Sequence, residues 1–359
     1  MALGVAATLL PGCARKPEPL WDAVEIPTDA MFTGIWFADS LNGWITGGGI
    51  DVDGGIVGRT RDGGRTWRFQ SEAYPGGGDR FALHAVQFHD TLYGCGVGSF
   101  GRILLTQDGG ASWRPTPAGP DGGGLVDVQF LDRWNGWAAG PVRIVRTEDG
   151  GETWTTVLRN ASENGYLTSN AIHFFDSHRG WLAGHSGRLM RTEDGGRHWT
   201  QAEIPALGGE HPTFWDLTFT DESNGWAVGD RGLILRTRDG GTSWARQENG
   251  VPIVRVIPKG EPPRPREVVP ELETEPDRLT VSAIHFADSL HGCAVGYYAD
   301  VAESVVLRTD DGGESWRVER VQPGEILRSV FMLDPDHAWA AGDRARTRPQ
   351  VVLCYPATR

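Results

Sequence analysis

An eight-residue string recurs along this chain and constrains its fold more than any other feature. Six copies align without gaps: TRDGGRTW at 60–67, TQDGGASW at 106–113, TEDGGETW at 147–154, TEDGGRHW at 192–199, TRDGGTSW at 237–244 and TDDGGESW at 309–316. Their tryptophans are 46, 41, 45, 45 and 72 residues apart. This is the period of one four-stranded propeller blade, and the longest interval indicates an insertion before the sixth copy.

A second element precedes each copy of the string. It reads FADSLNGW at 37–44, FHDTLYGC at 88–95, FLDRWNGW at 130–137, FFDSHRGW at 174–181, FTDESNGW at 219–226, FADSLHGC at 286–293 and, in degenerate form, MLDPDHAW at 332–339. Each copy is typical of a strand, a tight turn and a second strand rich in small residues. Cys95 and Cys293 take the tryptophan position in two copies, and we expect them to be buried, unreactive thiols.

Together these elements predict an all-β fold, a seven-bladed β-propeller of four-stranded antiparallel blades. The 50 glycines and 15 tryptophans suit short strands joined by tight turns. The seventh copy lacks a following string, whereas LWDAVEI at 20–26 resembles the strand after each string. We therefore expect the N-terminal strand to complete the last blade and close the ring. The predicted organisation is a leader and tether at 1–19 and a single propeller at 20–359 that carries a proline-rich insertion at 251–278.

The charge and the cysteine pattern exclude several classes of function. A formal net charge of −13 and the absence of a basic stripe argue against a nucleic-acid partner. The four cysteines are too scattered for a metal-binding motif, and no cofactor motif is present. Asp51 and Asp53 could hold Ca²⁺, but no third acidic residue is near in sequence, which favours a solvated turn. We predict no metal site and no cofactor.

The N-terminus resembles a bacterial lipoprotein signal. An apolar run at 2–10 is followed by the string LLPGC, which ends at Cys13. This resemblance implies that Cys13 accepts the lipid anchor, and that the protein is exported and held on the membrane at the periplasmic or cell-surface side. The alternative is an ordinary frayed N-terminus with an idle or buried cysteine.

The eight-residue string matches the Asp box of sialidases, sortilin-type receptors and many bacterial propellers. Its carboxylate can accept hydrogen bonds from turn N–H groups and from the Thr or Ser hydroxyl, so we assign it a structural role. The Asp-box carboxylates are Asp62, Asp108, Asp149, Asp194, Asp239 and Asp311. With both elements over seven blades behind a lipoprotein-like leader, the chain resembles the photosystem II stability and assembly factor family. That resemblance implies binding of membrane-protein assembly intermediates without catalysis.

Residues that recur in every blade serve the scaffold, so function is expected where the chain departs from its own repeat. The departures at the entrance of the inner strands are Arg80, His84, Asp127, Asn170, Trp215, Asp216 and Arg328. Aromatic, cationic and neutral polar groups in this mixture are typical of protein recognition. We predict partner binding at Arg80, His84, Trp215, Asp216 and Arg328. Alanine at Arg80, Trp215 and Arg328 is expected to change stability by less than about 1 kcal/mol.

The alternative function is an Asp-box glycosidase or a carbohydrate-binding propeller. A glycosidase needs a pair of carboxyl groups at a set separation, and Asp127 and Asp216 are the candidates because they take equivalent positions in blades 3 and 5. The arginines that could clamp a carboxylate precede the Asp box in several blades, which indicates a scaffold role: Arg59, Arg146, Arg191, Arg236 and Arg308. We therefore predict a monomeric, non-enzymatic scaffold with no catalytic residue, whose partners are a membrane-protein complex or its subunits.

Overall fold

The computed structural model describes residues 20–48, 55–71, 81–119, 122–159, 168–205, 211–250, 278–299, 302–344 and 350–356. Cys13, Asp51, Asp53, Arg80 and, except for its last residue, the insertion at 251–278 lie outside these ranges, so the predictions made for them stay predictions. In the ranges described, no helix is long and apolar enough to cross a bilayer.

The described residues form 28 strands in seven four-stranded antiparallel sheets. Blade 1 contains β2 (Met31–Phe37), β3 (Gly43–Gly48), β4 (Ile56–Thr60) and β5 (Arg68–Ser71). Blade 2 contains β6 (Leu83–Phe88), β7 (Gly94–Gly98), β8 (Ile103–Thr106) and β9 (Arg114–Thr116). Blade 3 contains β10 (Asp127–Phe130), β11 (Gly136–Gly140), β12 (Arg143–Thr147) and β13 (Thr155–Arg159).

The remaining blades repeat this order. Blade 4 contains β14 (Ser169–Phe174), β15 (Gly180–Gly184), β16 (Leu189–Thr192) and β17 (Thr200–Gln201), and blade 5 contains β18 (Phe214–Phe219), β19 (Gly225–Gly229), β20 (Ile234–Thr237) and β21 (Ala245–Arg246). Blade 6 contains β22 (Leu279–Phe286), β23 (Gly292–Tyr298), β24 (Glu303–Thr309) and β25 (Arg317–Pro323). Blade 7 contains β26 (Glu325–Asp334), β27 (His337–Arg344), β28 (Gln350–Tyr355) and β1 (Asp22–Ile26). A 3₁₀ turn lies at Ser99–Gly101.

The N-terminal strand closes the ring, as the sequence predicts. β1 runs antiparallel to β28, with Asp22 opposite Cys354 and Ile26 opposite Gln350. The Trp21 side chain is 2% exposed, and its indole N–H donates to Glu319 at 2.9 Å. Blade 7 therefore combines three C-terminal strands with one N-terminal strand, and the outer edge of β28 is paired.

The repeated tryptophan of the second element, present in five of the seven blades, packs against the next blade. Trp44 of blade 1 stacks on Phe88 of blade 2 with ring centroids 3.5 Å apart, and its indole N–H donates to the Gly109 carbonyl at 2.9 Å. Trp339 of blade 7 stacks in the same way on Phe37 of blade 1, at 3.6 Å. Because the first strands of neighbouring blades also contact each other around the ring, the core is a set of blade–blade seams.

The Asp boxes are structural, as predicted. Asp62 accepts hydrogen bonds from the Thr60 hydroxyl at 2.8 Å and from the N–H and hydroxyl of Thr66 at 2.9 and 2.6 Å. Hydrogen bonds from the hydroxyl and N–H of Ser112 lower the pKa of the corresponding Asp108 to about 2. The other boxes have the same arrangement at Asp149, Asp194, Asp239 and Asp311, with His198 in place of the second hydroxyl residue in blade 4.

The Asp boxes and the turns between the first two strands of each blade share one face of the disc, called here the box face. In blade 1 the Gly63 N–H donates to the Leu41 carbonyl of that turn at 3.0 Å. On the opposite face, a bridge pairs Gly48 of blade 1 with Ala82 at the entrance to blade 2. The sequence also indicates a long loop at 296–304, and this expectation is wrong. Tyr298 pairs with Glu303 as β23 and β24 continue their ladder.

Candidate functional site

A ring of β-bulges surrounds one end of the central channel. In six blades the first strand has one residue that is skipped in its pairing with the second strand. These first strands are β2, β6, β14, β18, β22 and β26. A bulge turns the side chain of its extra residue out of the regular alternation. All six side chains line the channel, which has a volume of about 330 Å³. The bulge ring consists of Thr33, His84, Asn170, Trp215, Ser282 and Arg328.

Three members of the bulge ring bind the next blade. The Thr33 hydroxyl donates to the Leu83 carbonyl at 2.7 Å. Asn170 donates to the carbonyl of Phe214 at 2.9 Å, and Ser282 to that of Leu327 at 2.8 Å. The inner strand is the uncovered edge of each sheet, so these side chains satisfy backbone groups that would otherwise depend on channel water.

The other three members of the ring are the larger side chains that the sequence identifies as departures from the repeat. Each has a hydrogen-bonding partner in its own blade, 15 residues later in the chain. The pairs are His84 with Ser99 at 3.1 Å, Trp215 with Asp230 at 2.7 Å and Arg328 with Asp343 at 2.6 Å. The structure thus brings together three predicted site residues and adds three partners that the sequence analysis missed.

Burial and these partners set the charges at the mouth, which is the end of the channel that the bulge ring surrounds. Burial lowers the pKa of His84, so its imidazole is neutral at pH 7. Burial alone would lower the pKa of Arg328, but the hydrogen bond and charge of Asp343 raise it. The Arg328 side chain stays 33% exposed, and its guanidinium lies 5.9 Å from the Tyr297 ring centre. Among the described residues the mouth therefore offers the Arg328 cation, held by Asp343 beside the Tyr297 ring.

The same pairs change the expected effect of alanine substitution. Asp343 is buried, and removing Arg328 leaves its carboxylate without the ion pair. Trp215 is half-buried, its ring lies 5.5 Å from that of His185, and its loss deprives Asp230 of one donor. An unpaired buried polar group costs about 1–3 kcal/mol, so the expectation of less than about 1 kcal/mol is revised upward for Arg328, whose partner Asp343 is buried.

Asp127 and Asp216 lie one residue deeper and also join blades. Asp127 of blade 3 accepts a hydrogen bond from the Ile172 N–H of blade 4 at 2.8 Å. Asp216 of blade 5 accepts one from the Ile284 N–H of blade 6 at 2.9 Å. The second oxygen of each carboxylate accepts the N–H of the next residue in its own strand. Ser329 does the same in blade 7, at 3.2 Å from the Ile35 nitrogen.

The environment of these two carboxyl groups does not resemble a glycosidase pair. Burial raises the pKa of Asp127 to about 6 and that of Asp216 to about 8, with backbone hydrogen bonds opposing the rise and the Asp127 charge adding to it at Asp216. All four oxygens accept backbone N–H groups, which leaves the carboxyls committed to the seams. Among the described residues, no group of three or more His, Cys, Asp or Glu side chains is placed to hold a metal ion.

The recurring arginines also have scaffold roles. Arg59, Arg146 and Arg236 each lie over the repeated tryptophan of their own blade, 5.0–5.6 Å from the ring centre. Arg308 lies over the Tyr355 ring at 4.1 Å. These positions support the interpretation that residues repeated in every blade serve packing.

Comparison with known proteins supports one family. A family model described as photosynthesis system II assembly factor YCF48 matches residues 14–124, 120–212 and 206–253. No curated protein matches this chain.

Among solved structures, the chain is similar to "YCF48 bound to D1 peptide", with a TM-score of 0.67, 19% identity, and coverage of 96% of this chain and 99% of that one. YCF48 from Cyanidioschyzon merolae gives a TM-score of 0.65 and 18% identity over 94% and 98% of the two chains. The extracellular domain of BT4673, a one-component system of B. thetaiotaomicron, gives 0.62 and 10% identity over 93% and 39%. These structural likenesses show the propeller fold.

Proposed function

Since the chain belongs to the photosynthesis system II assembly factor YCF48 family, we propose that it is a non-enzymatic, protein-binding scaffold that assists the assembly or stability of a membrane-protein complex. A structure of a related protein is described as bound to a D1 peptide, which supports a polypeptide segment as the class of ligand. The chain acts on its own as a monomer in this proposal, and its partner is a subunit or assembly intermediate of such a complex.

The observation that carries the proposal is the set of three larger side chains in the bulge ring. His84, Trp215 and Arg328 depart from the repeat, converge on one mouth and are each held by a partner 15 residues later. Side chains fixed in this way lose little conformational freedom when a ligand binds, which favours affinity. Aromatic and arginine side chains are also those that most often dominate the energy of protein interfaces.

We place Arg80 and Asp216 in the same proposed surface with different roles. Arg80 precedes β6 in sequence, just outside the described residues, and stays in the proposal as a prediction from the sequence. Asp216 follows Trp215 in β18 and lines the channel, where it would hold the strand beneath that ring in place for a segment that enters the channel. Export and a lipid tether at Cys13 remain part of the proposal on the strength of the LLPGC string.

The test is co-purification of partners from native membranes with variants that keep the local pairs satisfied. Trp215→Phe, combined with Asp230→Asn to avoid leaving a carboxylate without its indole donor, keeps an aromatic ring, and the double variant Arg328→Gln, Asp343→Asn replaces the ion pair with a neutral hydrogen-bonded pair. Combining them should lower partner recovery by about tenfold or more, because interface anchors contribute at least about 1.4 kcal/mol. Mass spectrometry of the bound fraction measures the recovery.

The matched control is Thr33→Ser, a change in the same ring that keeps the hydroxyl bonded to the Leu83 carbonyl. It should leave recovery unchanged. Equal partner profiles for the wild type and the combined variant would contradict the proposal. Turnover of a sugar substrate that is lost in Asp127→Asn or Asp216→Asn would replace it with the glycosidase alternative.

A further inference from the structure

Blade 2 lacks the indole that fills the seam in other blades. In blades 1, 3, 5 and 7 the repeated tryptophan stacks on a phenylalanine of the next blade, with ring centroids 3.5–4.0 Å apart. Its N–H donates to the first glycine carbonyl of an Asp box in that next blade. Blade 2 has Cys95 at this position.

The residue opposite Cys95 has changed as well. Across the second and third strands, Trp44 faces Arg59 and Trp226 faces Arg236, whereas Cys95 faces Leu105. Blade 2 has therefore replaced both members of a tryptophan–arginine pair with smaller or apolar side chains. The seam between blades 2 and 3 has lost an aromatic ring and gained apolar walls.

The missing ring leaves a cavity of about 110 Å³ between blades 2 and 3, called here the blade 2–3 slot. Cys95, Leu105, Phe130 and Gly150 line it together with polar side chains such as Gln107 and Glu152. The Phe130 ring is partly exposed, unlike its counterparts in five other blades, which are at most 7% exposed. Those counterparts are Phe37, Phe88, Phe174, Phe219 and Phe286. The apolar face that an indole covers elsewhere is thus open here.

Blade 6 shows that a cysteine at this position does not by itself open a slot. Cys293 replaces the same tryptophan, but it packs in one cluster with Trp21 and Met332, and Tyr355 packs against that cluster. The Arg308 guanidinium covers the Tyr355 ring at 4.1 Å. The closing strands of blade 7 thus supply side chains to that seam, while the seam after blade 2 stays open.

We propose that the blade 2–3 slot binds an aromatic side chain, with tryptophan preferred, that is presented by a partner polypeptide. The other seams of this chain show how such a ring would be bound. The Gly150 carbonyl corresponds to the carbonyls that accept indole N–H groups there, and Phe130 corresponds to the phenylalanines on which the indoles stack. The slot is smaller than the cavity of about 150 Å³ that encloses a benzene ring, so a partner's ring would enter it in part and stack on the exposed face of Phe130.

The rim of the slot suits a polypeptide that carries such a ring. Trp134 lies at the rim with 55% of its surface exposed, and the Arg133 guanidinium lies 4.0 Å from the centre of the Tyr93 ring. Because Trp134 belongs to a turn on the box face, the slot opens at the other end of the disc from the bulge ring. The inference therefore stands apart from the proposed partner site.

The test is a titration of the full chain with 5-fluoro-N-acetyltryptophanamide followed by ¹⁹F NMR. Wild type should give saturable binding, with N-acetylleucinamide weaker in competition because it cannot stack or donate. Cys95→Trp fills the slot with the ring that other blades carry, and should weaken binding by about tenfold or more. Cys95→Ala leaves the slot open, and should bind as wild type does.

Two further variants keep the test decisive if Cys95→Trp folds poorly. The double variant Cys95→Trp, Leu105→Arg restores the tryptophan–arginine pair of blades 1, 3 and 5, and should also lose binding. Trp134→Ser changes only the exposed rim and should weaken binding while the thermal melt stays at the wild-type temperature. Absence of saturable binding to wild type, or full binding to a folded variant with a filled slot, overturns the inference.

Discussion

Asp216 and Ser329 join neighbouring blades in the same way but with different side chains. Each accepts an N–H from the inner strand of the next blade, Asp216 from Ile284 and Ser329 from Ile35. A serine does this without a titrating group, whereas burial raises the pKa of Asp216 to about 8. The aspartate therefore makes the stability of the seam between blades 5 and 6 dependent on pH.

The direction of that dependence follows from proton binding. The unfolded chain releases the Asp216 proton near the ordinary pKa of 3.8, and the folded chain holds it up to a pH of about 8. The contribution of Asp216 to stability is thus full below pH 4 and falls as the pH rises toward 8. We expect the wild type to lose roughly 1–3 kcal/mol between pH 6 and 8, and Asp216→Ser to lose much less. Thermal melts over this range measure the difference, and identical slopes would contradict the assignment.

At the residue scale, departure from the repeat singled out His84, Trp215 and Arg328, and all three line the same channel. It did not find Ser99, Asp230 and Asp343. Each of these also differs from most equivalent positions in the other blades and follows directly after the small residues of the second strand. The sequence does not show that the first strand has a bulge at these positions. The bulge changes the strand register, and the register decides which side chains meet across a ladder. A comparison of blades for pairs 15 residues apart would have revealed it.

At the element scale, β1 is the strand on which the ring depends. It covers the outer edge of β28 through five residue pairs, and it brings the buried Trp21 with it. Deleting residues 20–26 should expose an unpaired edge and cause aggregation, whereas deleting 1–19 should leave solubility unchanged. Light scattering of the two purified truncations compares them. Equal solubility would contradict this closure.

A substitution tests the same element more gently. Trp21→Ala should destabilise the fold by about 3–5 kcal/mol, since it empties a buried aromatic site and removes the donor to Glu319. Trp21→Phe keeps most of the packing and should cost less. The midpoints of urea unfolding, compared at equal slope, measure both effects.

Most elements were predictable because each is a local repeat with its own turn. Strand, turn and Asp box recur in order, so seven blades and their closure followed from counting. The hairpin at 296–304 was not predictable in this way. Tyr297 and Tyr298 pair across the sheet with Ser304 and Glu303, which extends two strands beyond the length seen in blades 1 to 5. Cross-strand partners of this kind are set by packing and not by a local signal.

At the scale of the whole molecule, the tether would decide how the disc meets a membrane. A lipid on Cys13 would be joined to β1, at the outer edge of blade 7, by the short segment 14–19. Mass spectrometry of protein extracted from membranes of the native host should then find a diacylated Cys13 as the first residue. Cys13→Ser should move the protein to the soluble fraction. An intact Met1 in a purely soluble protein would exclude the anchor.

Ring closure by β1 also sets the order in which the molecule can be completed. Asp22 is made early, but its partner Cys354 follows only after nearly the whole chain has been synthesised. At about 5–20 residues per second this wait lasts on the order of tens of seconds. Blades 1 to 6 pair their strands within short stretches of chain, while blade 7 pairs residues as far apart in sequence as Asp22 and Cys354 and forms slowly. In a nascent chain, β1 therefore stays unpaired until β28 has been synthesised.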